Sequence, residues 1–203
     1  MVDVAAPGAG GGGSTLLRHL RALVVAALVA GSLSACSDPE ATAGEPGPKD
    51  AALEVRLTSG TEGLDTGARS QVQNDLGDVL SEYVVDGFLG DYPREDFVRS
   101  LDAFTAGAAR GAARDIDLLT AARFGRSDGL RATRLLAEIS CLTVEGDVVG
   151  ATAHVDFRFE VADGDAPPQP VTLRGRFLMD REDGTWSIFG YDVVRDDAER
   201  VGS

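Results

Sequence analysis

The sequence predicts an α+β domain in which two to three N-terminal helices pack on a curved antiparallel sheet of four or more strands, cone-like in outline. Three observations predict it. Between residues 70 and 124 apolar side chains recur at helical spacing. From Leu130 onward the apolar period falls from about 3.6 residues to 2. The dipeptides Glu145-Gly146 and Asp183-Gly184 then punctuate the second half with tight turns. Helices first and a run of strands afterwards is the α+β pattern rather than the alternating one.

Each element follows from its own residues. Leu53, Val55 and Leu57 alternate with polar neighbours, which is the pattern of a short edge strand. Ser59 to Gly67 forms turns. Ser70 stands three residues before Gln73, the spacing of a capping box. Val72, Leu76, Val79, Leu80, Tyr83, Val84 and Phe88 then share one helical face, closed by Gly87 and Gly90. Pro93 opens a second helix, with Glu95 and Asp96 in the first turn where the helix dipole favours acids. Its apolar stripe is Phe97, Leu101 and Phe104. Gly107 and Gly111, four apart, let two backbones approach closely. Asp115 to Phe124 reads as a third short helix anchored by Ile116, Leu119 and Phe124.

In the strand half, Leu135, Ala137, Ile139 and Cys141 alternate with Glu138 and Ser140. Beyond the Glu145-Gly146 turn, Val149, Ala151, Ala153, Val155, Phe157, Phe159 and Val161 face one way. His154, Asp156, Arg158 and Glu160 face the other. After the Asp- and Pro-rich loop from Ala162 to Pro170, Val171, Leu173, Phe177 and Met179 define a third strand with Arg174 and Arg176 outward. Thr185 to Arg195 is the last strand. There Asp192 shares parity with Trp186, Ile188 and Val194, while Tyr191 shares parity with Phe189 and Val193. Both faces are half apolar, so alternation does not say which points inward.

The start of the chain has a different character. Arg18, His19 and Arg21 precede Ala22 to Leu33, an apolar run of 12 residues. A membrane-spanning helix needs about 20 such residues, so the run reads as the core of a secretory signal peptide. The segment Leu33-Ser34-Ala35-Cys36 follows and resembles the bacterial lipobox. That resemblance implies transfer of a diacylglyceryl group to the Cys36 sulfur and cleavage just before it. Residues 1–35 are then a lipoprotein signal peptide, 36–51 the lipidated Cys with a disordered tether, and 52–203 a single α+β domain. Two or more acyl chains suffice for stable attachment, which places the expected domain on the extracytoplasmic face of the cell membrane. The Gly-rich leader before Leu16 fits a long n-region or a start codon assigned too far upstream. The Ala-, Gly-, Arg-, Asp- and Val-heavy usage resembles that of high-GC actinobacterial proteins.

Charge narrows the partners. The chain holds 19 basic and 33 acidic residues, a net −14. Cleavage before Cys36 removes Arg18, Arg21 and Asp3, leaving 17 against 32, or −15. A field of that sign repels polyphosphates, so no nucleic-acid partner is expected. Solubility alone accounts for the excess.

The helix pair, the long strands and a closing strand WSIFGYDV (residues 186–193) resemble the nuclear transport factor two-like superfamily, the ketosteroid-isomerase-like cone, over residues 66–196. The resemblance implies a pocket between helices and sheet. Members include isomerases, dehydratases, hydrolases, transport adaptors and non-catalytic pocket domains, so fold alone does not choose among them. Isomerase chemistry would need an inward carboxylate as base and a Tyr or a protonated acid as oxyanion donor. The candidate catalytic residues are Asp192, Tyr191 and Tyr83, the last on the apolar helix face with its hydroxyl free to reach a pocket. The isomerase motif is not recognisable at these positions, and a core tyrosine with a surface aspartate accounts for them without catalysis.

Other chemistry-bearing residues have structural readings. His154, the one histidine of the mature chain, lies on a polar strand face, and neither a metal-ligand spacing nor a cofactor motif is present. Cys141 has core parity and reads as an inert buried thiol without a disulfide partner, because Cys36 carries lipid. Arg158, Arg174 and Arg176 face Asp156, Glu160 and Asp180, which predicts cross-strand ion pairs. The helix stripe (Val72, Leu76, Tyr83, Phe97, Leu101, Phe104) and the strand residues Phe157, Phe159, Phe177 and Met179 are expected to line an apolar cavity. The expected function is a membrane-anchored, non-catalytic module that binds an envelope protein or a small apolar ligand. The alternative is a tethered isomerase- or dehydratase-type enzyme. A lipid carrier is less suited to a permanent anchor.

Overall fold

A computed structural model of the protein describes residues 50–197. The expected signal peptide, Cys36 and the tether as far as residue 49 lie outside the described residues. In chain order the elements are β1 (Leu53–Ser59), α1 (Thr66–Phe88), a 3-10 turn (Val98–Ala103), α2 (Ala106–Ala112), α3 (Ile116–Leu119) and a second 3-10 turn (Ala122–Phe124). Four long strands follow: β2 (Gly129–Val144), β3 (Asp147–Ala162), β4 (Gln169–Glu182) and β5 (Thr185–Asp197). The fold is α+β, with a helix packed on an open five-stranded sheet of order β1-β2-β3-β4-β5.

The sheet is mixed, not purely antiparallel as the strand pattern suggested. β2 to β5 form an antiparallel meander joined by short turns, but β1 pairs parallel with β2. The reason lies in the connection. All the helical segments stand between β1 and β2, and a crossover of that length returns the chain to the end where β1 began.

Local chemistry moves three helix boundaries. α1 starts before the Ser70–Gln73 capping box, because the Asp65 carboxylate accepts from the Ala68 N–H at 2.8 Å and supplies the N-cap itself. Pro93 does not open a helix. The Arg94 N–H donates to the Gly125 carbonyl at 2.8 Å, and the Arg94 guanidinium donates to the carbonyls of Asp86 and Leu89 at the end of α1. The segment is therefore a strap closing α1, and helical geometry begins only at Val98. The expected third helix is divided at Thr120, whose hydroxyl donates to the Ile116 carbonyl at 2.7 Å while the Ala121 N–H donates to the Gly87 carbonyl at 2.8 Å.

The buried face of α1 carries Val72, Leu76, Leu80, Tyr83, Val84 and Phe88, as the 3.6-residue period requires. It packs on the face of the sheet formed by Ala153, Val155, Phe157, Phe159, Leu173, Phe177 and Met179. The residues expected to line a cavity instead fill the space between them. Phe88 stacks on Phe159 at 4.5 Å between ring centroids, and Tyr83 meets Phe177 edge-on at 5.0 Å and Phe104 at 5.8 Å. Offset and edge contacts of this kind add to the burial energy of large rings.

Three β-bulges interrupt the long strands: one at Thr133 in β2, and two that reverse side-chain parity near the turns. Between β2 and β3 the register passes from Leu142↔Gly150 to Thr143↔Val148, which leaves Val149 unpaired. Between β4 and β5 it passes from Leu178↔Gly190 to Met179↔Ile188, which leaves Phe189 unpaired. An extra residue re-aims every side chain beyond it. Val149, expected inward with Ala151 and Ala153, is consequently 41 % exposed, and Val148 is buried in its place. On β5, Trp186 and Ile188 point inward before the bulge, and Val193 does so after it.

Candidate functional site

The three residues singled out for isomerase-type chemistry are not brought together. Tyr83 is wholly buried, and its hydroxyl donates to the Leu119 carbonyl, so it ties α1 to α3 and is not free to face a pocket. Tyr191 is half-buried and donates to Asp115 Oδ2 at 2.7 Å, near the turn that precedes α3. Asp192 lies on the opposite face of β5, exposed, and accepts from Arg176 at 3.0 Å. The parity left open by the sequence is settled by the Phe189 bulge: Tyr191 turns toward the helices and Asp192 toward the outer sheet face.

That outer face has two halves of opposite character. Its middle is an ion-pair lattice. Asp156 on β3 lies within 2.7 Å of Arg158, 3.2 Å of Arg134 and 3.5 Å of Arg174. Its carboxyl is held below the usual range first by the Arg158 hydrogen bond and then by the charges of all three arginines. Arg131 pairs with Glu160 across β2 and β3. Cross-strand pairing was expected, but Asp180 takes no part in it. His154 sits in this lattice between Glu138 and Arg176 in the register.

Toward the β2–β3 and β4–β5 turns the same face becomes apolar. Leu142 is 61 % exposed and Phe189 is 47 % exposed, and with Val149 and Leu178 they wall a cleft of about 440 Å³. Both bulges near the turns contribute. Each adds one apolar side chain beside a glycine, Val149 next to Gly150 and Phe189 next to Gly190, and Gly150 belongs to the lining. Leu142 lies over Gly150, with its Cβ 3.8 Å from where a methyl would stand. Leu178 lies over Gly190, with Cδ1 at 3.4 Å. Asp180 borders the cleft, and its Oδ1 is shut off from solvent without a hydrogen-bond donor among the described residues. A contiguous apolar area on an otherwise charged sheet face is a recognised mark of an interaction site. Sequence reasoning passed over it, although a signal existed. A glycine inside a strand, directly after an exposed apolar residue, marks a bulge or a close approach.

A second cluster missed from the sequence is structural. The Arg195 side chain is 4 % exposed and pairs with Asp197 at 2.9 Å. It also donates to the carbonyls of Asp117 and Thr120, and lies 5.7 Å from the centre of the Phe124 ring. One guanidinium thus satisfies a carbonyl within α3 and the one just after it, and fastens both to β5. Cys141 is half-buried at the far end of β2. Its thiol is pushed up by burial first and by the charge of Glu62 second. Among the described residues no group of three or more His, Cys, Asp or Glu is placed to hold a metal ion, and no helix is long and apolar enough to cross a membrane. Compared with protein-family models, with curated proteins and with solved structures, the chain shows no match.

Proposed function

We propose that the protein is a lipid-anchored envelope module that binds a partner through the outer face of its sheet and does no chemistry of its own. The address rests on the basic n-region, the 12-residue apolar run and the lipobox ending at Cys36. The mode of action rests on one observation, the exposed apolar cleft walled by Leu142, Val149, Leu178 and Phe189. Counted along β2 from Ala132, which bonds Asp50, to Leu142, the cleft stands about 30 Å from the start of the described chain. A tether entering there leaves the cleft open to a partner. The likeness to the nuclear transport factor two-like cone belongs to the same reading, supported by α1 on a meander that closes with the Trp186 strand. It is a cone used through its outer face, since the aromatic residues fill its inner one.

Two measurements test this. Fractionation of cells expressing Cys36→Ala should show the chain uncleaved or released from the membrane; normal processing and retention would remove the lipoprotein reading. Detergent-solubilised membranes should yield a stoichiometric partner with the wild-type chain and lose it with Phe189→Asp. A partner retained equally by the two, with Phe189→Asp folded, would mean that the cleft is not the binding surface.

A further inference from the structure

The cleft carries information about what fills it. Four observations bear on this. Its walls are apolar and exposed, so an occupant contributes aliphatic or aromatic side chains. Asp180 Oδ1, buried at its border, accepts no hydrogen bond among the described residues. A carboxylate oxygen removed from water without a donor is unfavourable, and a cation placed beside the Asp180 carboxylate at the cleft border offsets its charge. The two turns that frame the cleft, residues 143–147 and 180–185, hold Glu145, Asp147, Asp180, Glu182 and Asp183 against the single cation Arg181. Arg181 itself is directed back to the Gly184 carbonyl at 3.4 Å.

We propose that the cleft takes a segment of a partner protein in which apolar side chains stand beside lysine or arginine. The inference rests on the partner-binding reading above and adds the chemistry of the partner. The charge pattern selects this occupant over two others. An anionic lipid surface would be repelled by the acidic rim, which acts most strongly within a Debye length of about 8 Å. A second copy placed about a two-fold axis would bring the same acidic turns together, because such a contact uses one patch twice. A cationic, apolar segment meets both the apolar walls and the acidic rim, with its cation beside Asp180 at the border of the cleft.

The test uses the full chain in nanodiscs, with Phe189→p-benzoylphenylalanine as a photo-cross-linker in the cleft wall. The probes are a peptide of repeating Leu-Lys-Phe-Lys and its counterpart with Glu in place of Lys. The Lys peptide should form the adduct and the Glu peptide should not. Asp180→Asn should weaken the half-saturation about tenfold, as expected for one charge-assisted contact. Asp78→Asn with Glu82→Gln, which removes as much or more charge from the exposed side of α1, should leave it unchanged. Four results would overturn the proposal: no peptide adduct, adducts to phosphatidylglycerol, adducts between two copies of the chain, or equal loss in the α1 variant. Equal labelling by the Glu peptide would overturn the charge assignment alone, while the Phe189→Asp co-purification decides separately whether the cleft binds a partner.

Discussion

The Tyr191 hydroxyl donates to Asp115 Oδ2 at 2.7 Å across 76 residues of sequence. Asp115 precedes α3 in the N-cap position, yet its carboxylate makes no capping bond there. The contact fastens the helical segment to β5, and it passes close to Gly111 of α2, where a methyl would stand in ordinary contact, 3.5 Å from the Tyr191 hydroxyl.

All three tyrosines of the chain are engaged in this way, with consequences at high pH. Tyr191 is pushed up to about 12 by burial first and by the Asp115 carboxylate second. Tyr92, which donates to the Phe88 carbonyl at 2.7 Å, is pushed up to about 12 by burial. Tyr83 is driven well above the ordinary range by complete burial. An unfolded tyrosine ionises near pH 10. The folded state therefore favours the protonated phenols. This contribution is fully present below pH 10 and is lost as pH rises toward about 12. Ultraviolet titration should show phenolate appearing late, together with unfolding. Phenolate developing near pH 10 in a folded chain would contradict the contacts.

Two arginines on the last strands separate burial from mere pairing. Arg195→Ala removes a guanidinium that is 4 % exposed, leaves the Asp117 and Thr120 carbonyls without it as donor, and leaves Asp197 paired with Arg123 alone. The expected loss is about 3 kcal/mol of unfolding free energy. Arg176→Ala breaks the pair with Asp192, whose partners are 51 % and 70 % exposed. It should cost less than about 1 kcal/mol. Urea denaturation of the two variants gives the comparison, and equal losses would contradict the burial of Arg195.

Gly175, in the middle of β4, has φ +139°, and a methyl placed on it would stand 2.2 Å from the Asp192 carbonyl oxygen. The backbones of β4 and β5 approach there as only glycine permits. Gly175→Ala should destabilise the domain by roughly 2 kcal/mol or more through strain and separation of the strands. Gly164→Ala, at φ +57° with open space around it, should cost clearly less. A thermal melt of each variant checks the order.

Cys141 should react slowly with a neutral-pH thiol reagent in the folded chain. Its thiol is half-buried, and burial together with Glu62 disfavours the thiolate, the reactive form. Denaturation should raise the rate several-fold, and Glu62→Gln should raise it slightly in the native state. Equal rates in folded and unfolded chain would place the thiol in open solvent.

How much of this was legible in the sequence follows from how far each physical cause reaches. Helical spacing from Val72 to Phe88 and alternation from Ala151 to Val161 are set by neighbours a few residues apart, and these were readable. So were the Glu145-Gly146 and Asp183-Gly184 turns, where the residue before each glycine adopts positive φ, and the pairing of outward arginines with outward acids. Three features were not. The parallel seating of β1 is set by where a helical crossover ends, the partners of Tyr83 and Tyr191 are 36 and 76 residues away, and the bulges at Val149 and Phe189 exist only in the register of one strand against another. A side-chain period of two cannot survive an inserted residue, so the orientation of Asp192 and the apolar cleft on the outer face were decided by strand pairing, which no single strand encodes.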